Sequence, residues 1–230
     1  MVNAIELAPG VALWREFFSV PEQKKLVSEV LRLADTAPLY RPLLPRSGKP
    51  FSVEETNFGP LGWISEPDGY RYSPVHPVTS EPWPDIPAAL LELWRAVANY
   101  PLEPECCLVN FYRSGAKMGA HQDRDEEAME APVVSVSLGD QALFRFGGTS
   151  RRDPSRSVRL ATGDVLTFSG PARLMFHGID RVISGSSTLV PGGGRLNLTL
   201  RRVTNPEKTT PGRGADRAPY ALLRASAGRG

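Results

Sequence analysis

Between residues 105 and 203 the chain breaks into short segments in which apolar and polar residues alternate, each closed by a turn rich in glycine or polar residues. Successive side chains on a strand point to opposite faces, so a period of two marks a strand whose two faces meet different surroundings. Leu108, Asn110 and Tyr112 share one face, and Val109 and Phe111 the other. Val133 to Leu138 is rich in β-branched residues, and Leu143-Phe144-Arg145-Phe146 runs into Gly147-Gly148. Val158 to Leu160, Asp164 to Ser169 and Arg195 to Arg201 follow with turn signals between them. Many short strands bury their apolar faces only by folding onto one another, which predicts a sandwich or jelly roll.

The chain before this region has a different texture. Residues 1–18 read as an apolar arm. Ser19-Val20-Pro21-Glu22 then supplies a helix start, with a hydroxyl cap, an early proline and a glutamate three residues on. Leu26, Val27, Val30, Leu31 and Ala34 follow at helical spacing, and Ala37-Pro38 ends the helix. From Pro38 to Pro87 eleven prolines accumulate, which excludes long regular elements and predicts short strands and ordered loops displaying Trp63, Tyr70, Tyr72 and Trp83. A second helix is expected from about Pro87 to Ala98. The chain thus divides into N-terminal helices and an aromatic segment (1–104), a β core (105–203) and a basic, Pro- and Gly-rich tail (204–230) expected to be mobile. At 230 residues, one well-buried domain with a small subdomain is the expected scale.

Net charge is +2, but the tail carries the excess: the 202 residues before position 203 hold 22 basic and 23 acidic groups. Such a body does not attract nucleic acid by bulk charge, so any contact of that kind must come from specific side chains. Cys106 and Cys107 are adjacent and point to opposite faces of a strand, which makes them poor disulfide partners. A reducing compartment, the cytoplasm, is therefore expected. No 18-residue apolar run and no signal-peptide stretch appear, so no membrane association is expected. A monomer is expected.

The chemistry concentrates in three short segments. His121-Gln122-Asp123 places an imidazole and a carboxylate two residues apart, and on an extended segment both reach one ion. His177, just after the strand expected over Asp164 to Ser169, must then come from another strand. Two imidazoles and one carboxylate on one face of Fe(II) leave positions open for a co-substrate and O2. Taken alone, His-x-Asp reads more simply as a turn or a hydrogen-bonded pair, and a lone histidine usually finds a hydrogen bond. The later arginines shift the balance. Arg195, Asn197, Thr199 and Arg201 face one way, and Leu196, Leu198 and Leu200 the other. That polar face lies either in water or inside a barrel. Six residues at ~3.3 Å separate the two arginine Cα atoms by about 20 Å. Two side chains leaning together across that span suit a short dicarboxylate, which guanidinium groups grip as planar forks. Asn110 and Tyr112 add donors from a neighbouring strand.

These segments, in this order and spacing, resemble the AlkB family of Fe(II)- and 2-oxoglutarate-dependent dioxygenases, in its bacterial repair type, from about Ala12 to Arg201. The resemblance is carried by Leu61-Gly62-Trp63, Gly69-Tyr70-Arg71-Tyr72-Ser73-Pro74, Asn110-Phe111-Tyr112 and His121-Gln122-Asp123-Arg124-Asp125-Glu126. Phe144-Arg145-Phe146-Gly147-Gly148, Arg173-Leu174-Met175-Phe176-His177-Gly178 and Arg195 to Arg201 complete it. It implies a mainly β, α+β fold: a double-stranded β-helix with flanking N-terminal helices and a nucleotide-recognition lid. It implies Fe(II) on His121, Asp123 and His177, and 2-oxoglutarate on Asn110, Tyr112, Arg195, Asn197 and Arg201. It places Trp63, Tyr70 and Tyr72 in the lid, Asp125 in a base pocket and Arg151 against the nucleic acid. The segment from Pro38 to Asn57 matches the family poorly, and the basic tail lies outside its pattern.

The implied activity is oxidative demethylation of N-alkylated bases in DNA, with RNA as a second candidate substrate, releasing formaldehyde, succinate and CO2 as direct-reversal repair. An enzyme working on a base must draw it out of the stack and hold it, which rings do by stacking. A methylated base carries positive charge, and aromatic faces attract cations. In a Pro-rich stretch Trp63 and Tyr70 equally suit a small satellite core, Asp125 a solvated loop and Arg151 the surface. The rival functions are the same oxygenase chemistry on a modified tRNA base or a protein side chain, and an inactive jelly roll that only binds nucleic acid.

Overall fold

The computed structural model describes residues 3–206, so most of the basic tail expected over 204–230 lies outside the described residues. All strand pairing is antiparallel. A seven-stranded sheet joins β1 (Ile5–Ala8), β2 (Val11–Trp14), β11 (Val165–Phe168), β8 (Val133–Gly139), β13 (Arg195–Arg201), β6 (Cys106–Tyr112) and β3 (Glu54–Phe58), in that spatial order. A four-stranded sheet joins β10 (Arg156–Leu160), β9 (Gln141–Phe146), β12 (His177–Ile183) and β7 (Met118–His121). β4 (Gly62–Glu66) and β5 (Gly69–Ser73) form a separate hairpin.

The two faces of the large sheet follow from the alternation along its strands. Leu196, Leu198 and Leu200 are 0–1% exposed and meet Cys107, Val109 and Phe111 of β6 and Val134, Val136 and Leu138 of β8. Helices α1 (Val20–Thr36) and α2 (Ala88–Val97) cover this face with Leu26, Val27 and Val30, and with Leu90, Leu93 and Trp94. Each such aliphatic side chain contributes roughly 1.5–3 kcal/mol on burial. The α1 start is built as the sequence predicts, with the Glu22 carboxylate accepting from the Ser19 N–H at 2.7 Å. The opposite face, with Asn110, Tyr112, Arg195, Asn197, Thr199 and Arg201, turns toward the small sheet. Phe144, Phe146, Phe168 and Ile179 pack between the sheets. The polar face of the arginine strand is therefore internal: Arg195 is 1% and Arg201 6% exposed.

Two segments differ from the sequence expectation. Within the apolar arm expected over 1–18, Ile5–Ala8 and Val11–Trp14 form a hairpin whose second strand pairs with β11, burying Val11 and Leu13 completely. Four-residue strands leave too short a pattern to read as strands. His177 comes from another strand, as expected, and opens β12, a strand the sequence did not mark because the exposed Asp180 and Arg181 interrupt its apolar signature. No helix of the described residues is long and apolar enough to cross a membrane.

Candidate metal centre and substrate cavity

His121 ends β7, Asp123 lies in the loop just beyond it, and His177 faces His121 across the β7–β12 pairing. Gly178 permits that pairing: a Cβ there would lie 2.6 Å from the Met118 carbonyl oxygen and 2.9 Å from that of Gly119. Any side chain at this position pushes β12 off β7 and separates the two imidazoles. Phe168 stacks on the His177 ring at 5.0 Å and fixes its plane. His121 Nε2 stands 3.7 Å and His177 Nε2 4.0 Å from the Asp123 carboxylate, and the three donor atoms lie within 4.8 Å of one another.

The protonation states suit a divalent cation. His121 Nδ1 bonds the Gly119 carbonyl at 2.9 Å and His177 Nδ1 that of Met175 at 3.0 Å. A carbonyl only accepts, so each Nδ1 carries a proton and each Nε2 is the ring atom turned toward the cluster. Burial, then the neighbouring His121, lowers the His177 pKa to about 4, which keeps the ring neutral at physiological pH. Burial of Asp123 opposes its charge, but Arg201, His177, His121 and Arg173 outweigh it and hold the carboxyl well below the usual carboxylate range. A neutral His177 ring and an ionised Asp123 carboxylate are ligand forms that a metal requires.

Asp123 is held by two arginines. Arg201 donates to its carboxylate through Nη2 at 3.0 Å. Arg173, buried in the turn before β12, donates to the Asp123 backbone carbonyl, to the Ala131 carbonyl at 2.9 Å and to Glu126 at 2.9 Å. Glu126 also accepts from the Tyr72 hydroxyl. Sequence reasoning gave neither Arg173 nor Glu126 a role. The available signal was a lone arginine four residues before His177 in an otherwise apolar run.

One cavity of about 520 Å³ joins this cluster to the polar face of the large sheet and to the aromatic hairpin. Asn110, Tyr112, Asn197 and Arg201 line it, and Arg195 lies over the Tyr112 ring at 5.2 Å. Register puts Arg195 opposite Tyr112 and Asn197 opposite Asn110. Asn197 is tied through Nδ2 to Ser135 and the Val136 carbonyl. Arg195 donates to Ser137 at 2.9 Å, yet its Nε and Nη1, Arg201 Nη1 and Asn110 Oδ1 are buried without partners. Buried guanidinium N–H groups without acceptors are costly, and an anion in this cavity satisfies them. The residues present therefore fit both a divalent metal and a carboxylate ligand beside it.

Above the cavity, Trp63 of β4 and Tyr70 of β5 stack at 4.8 Å between centroids and 27° between planes. They are diagonal neighbours on one face of the hairpin, where Trp63 pairs with Tyr72 and Ser65 with Tyr70. Buried Asn57 anchors this strand at two points, bonding the Trp63 N–H and carbonyl at 3.0 Å each. Ile64, on the other face, is buried against Trp83. Tyr70 is 42% exposed, so the ring is offered to the cavity mouth and is not core. Asp125 accepts from Trp63 Nε1 at 2.9 Å, and Arg151 lines the cavity with its guanidinium 4.9 Å over Phe176. The third histidine, His76, bonds the Pro38 carbonyl and sits between Tyr40 and Trp83, away from this cluster.

Comparison with known proteins agrees with this geometry. Residues 10–201 match the profile of the 2OG-Fe(II) oxygenase superfamily. The chain is 54% identical over 204 residues to the alpha-ketoglutarate-dependent dioxygenase AlkB homolog of Caulobacter vibrioides, covering 88% of this chain and 91% of that one. It is 40% identical over 206 residues to the alpha-ketoglutarate-dependent dioxygenase AlkB of Escherichia coli K12, covering 87% and 94%. Its fold is similar to the solved structure of OsALKBH1, with a TM-score of 0.73, 31% identity, and coverage of 87% of this chain and all of that one.

Proposed function

This chain belongs to the 2OG-Fe(II) oxygenase superfamily and within it to the AlkB family, a dioxygenase using Fe(II), 2-oxoglutarate and O2, and from that premise we propose that it demethylates N-alkylated bases in DNA or RNA. The carrying observation is that one cavity is lined by the His121, Asp123 and His177 cluster, by Arg201 with an unpartnered N–H group and by a stacked Trp63–Tyr70 pair. On this reading His121, Asp123 and His177 hold the iron. When bound, the iron with 2-oxoglutarate and O2 would supply an oxidant for a C–H bond, one oxygen atom going to succinate with loss of CO2 and the other to the substrate carbon.

The residues of the chain have distinct parts. Arg201, next to Asp123, takes the carboxylate nearer the metal. Arg195, at the other end of β13 and bedded on Tyr112, takes the far one, with Asn110 and Tyr112 contributing polar contacts. Trp63 and Tyr70 stack on the extruded base, and Asp125 keeps the Trp63 indole in plane. Tyr72, hydrogen-bonded to Glu126, ties the hairpin to the metal-bearing loop. Arg151 contacts the nucleic-acid backbone at the rim. Once the N-methyl carbon is hydroxylated, the C–N bond breaks and formaldehyde leaves, which restores the base.

Formaldehyde release from N-methylated oligonucleotides tests this. The DNA or RNA oligonucleotide should release formaldehyde only with Fe(II) and 2-oxoglutarate present. Turnover of a methylated peptide, with none from either nucleic acid, refutes the reading.

A further inference from the structure

Glu55 is the one carboxyl of the cavity wall for which neither the family resemblance nor the metal chemistry accounts. It lies on β3, directly across from Asn110 on β6, and its side chain lines the cavity. It is 1% exposed, and its Oε2 has no hydrogen-bond partner. The other acids of the wall are engaged: Asp123 by Arg201, Asp125 by Trp63, Glu126 by Arg173 and Tyr72. Tyr40, bridged to Glu55 through both backbone groups, likewise has a hydroxyl that is buried and unpartnered. Burial, and after it the charge of Glu55 among other neighbours, raises the pKa of Tyr40, Tyr70 and Tyr112. A carboxyl deprived of water and of a partner is a costly feature unless something arrives to use it.

We propose, building on the base-demethylase reading, that Glu55 is a specificity-determining residue whose free Oε2 accepts a hydrogen bond from the exocyclic amine of a positively charged N-alkylated base. Burial pushes its pKa up to about 8, with Arg201 acting in the opposite direction, as befits a carboxyl whose counter-charge is not on the protein. A cationic base supplies both the missing donor and the missing charge. A neutral base with a carbonyl at the same position offers an acceptor to the ionised carboxylate and gains from Glu55 only while the acid holds its proton, so assays run above pH 8 separate the two bases. Four carboxyl groups and three arginines line the cavity, and of the four acids Glu55 alone is left without a partner.

The test uses wild type, Glu55→Met and Glu55→Gln, each checked for an intact thermal transition. The substrates are two oligonucleotides: one with an N1-methylated adenine, a cation bearing an amine, and one with an N3-methylated thymine, neutral and bearing carbonyls. Formaldehyde release is measured, together with binding of the labelled oligonucleotides to metal-free protein. Glu55→Met should lower kcat/KM and affinity on the adenine substrate by roughly ten- to a hundredfold, the range for losing a charge-assisted hydrogen bond. The thymine substrate should change by less than about threefold on the same scale. Glu55→Gln, which keeps the shape, should fall between and carries the test if Glu55→Met unfolds. Equal losses on both substrates, or none on either, overturn the role of Glu55 while leaving the demethylase reading intact. A wild type inactive on both substrates, with succinate still formed from 2-oxoglutarate, overturns the substrate reading and this role with it.

Discussion

Arg173→Met offers a severe test of how the metal loop is held. The guanidinium and the Glu126 carboxylate are 4% and 2% exposed, so neither charge is screened by water. Removing one partner of a buried ion pair costs roughly 3–5 kcal/mol, because the other charge stays buried. Here Glu126 keeps the Tyr72 hydroxyl and Arg201 at 3.4 Å, which favours the lower end, about 3 kcal/mol. The Asp123 and Ala131 carbonyls also lose their donor. In a domain of this size 1 kcal/mol moves Tm by about 2–4 °C, so melting in the presence of a chelator should fall by roughly 6–12 °C. Losing the anchor on the Asp123 backbone should in addition weaken Fe(II) binding by about tenfold, at the low end for an outer partner of a ligand. Anaerobic metal titration measures this separately from the melt. Arg173→Lys keeps the charge but not the fork and should lie between. A Tm within about 2 °C of wild type with unaltered metal affinity would refute the claim that Arg173 holds this loop.

Four other outcomes follow from the site. Asp123→Ala should abolish 2-oxoglutarate turnover while the thermal transition remains cooperative, and normal turnover with iron would exclude Asp123 as a ligand. Arg195→Ala should raise the KM for 2-oxoglutarate by about tenfold or more through loss of a charge-assisted fork, leaving metal affinity unchanged, whereas Arg201→Ala should disturb both because it faces Asp123; steady-state kinetics with metal titration separates them. Trp63→Ala should reduce turnover of methylated oligonucleotide by roughly ten- to a hundredfold, from ~1–3 kcal/mol of stacking, and affect uncoupled 2-oxoglutarate consumption far less; equal loss of both means the ring is structural. Glu55 in the folded chain holds its proton to about pH 8, against 4.5 for the ordinary carboxyl, so its contribution is intact below pH 4.5 and is lost as pH rises through 8. Glu55→Gln should therefore gain stability relative to wild type between pH 5 and pH 8.5, by a few kcal/mol at most, and a difference that does not vary with pH refutes the shift.

The sequence by itself determined which side chains share a face. The alternation of Arg195 to Arg201, the helix start at Ser19 and the break at Ala37-Pro38 are local facts, set by backbone geometry and read from a few residues. The ordered segments around His121, His177 and the arginine strand also made the family legible before any fold was known. Tertiary structure decided what the local pattern leaves open. It turned the arginine face inward, because α1 and α2 cover the leucine face and the small sheet closes over the other. It brought His177 beside His121 through the β7–β12 register, which no local period encodes. It made strands of the 1–18 arm by pairing them to β11. It gave Arg173, Glu126 and Glu55 their surroundings: a charged residue reads as surface in a sequence, and only the burial of its neighbours shows that its charge must be met from within the protein or by a ligand.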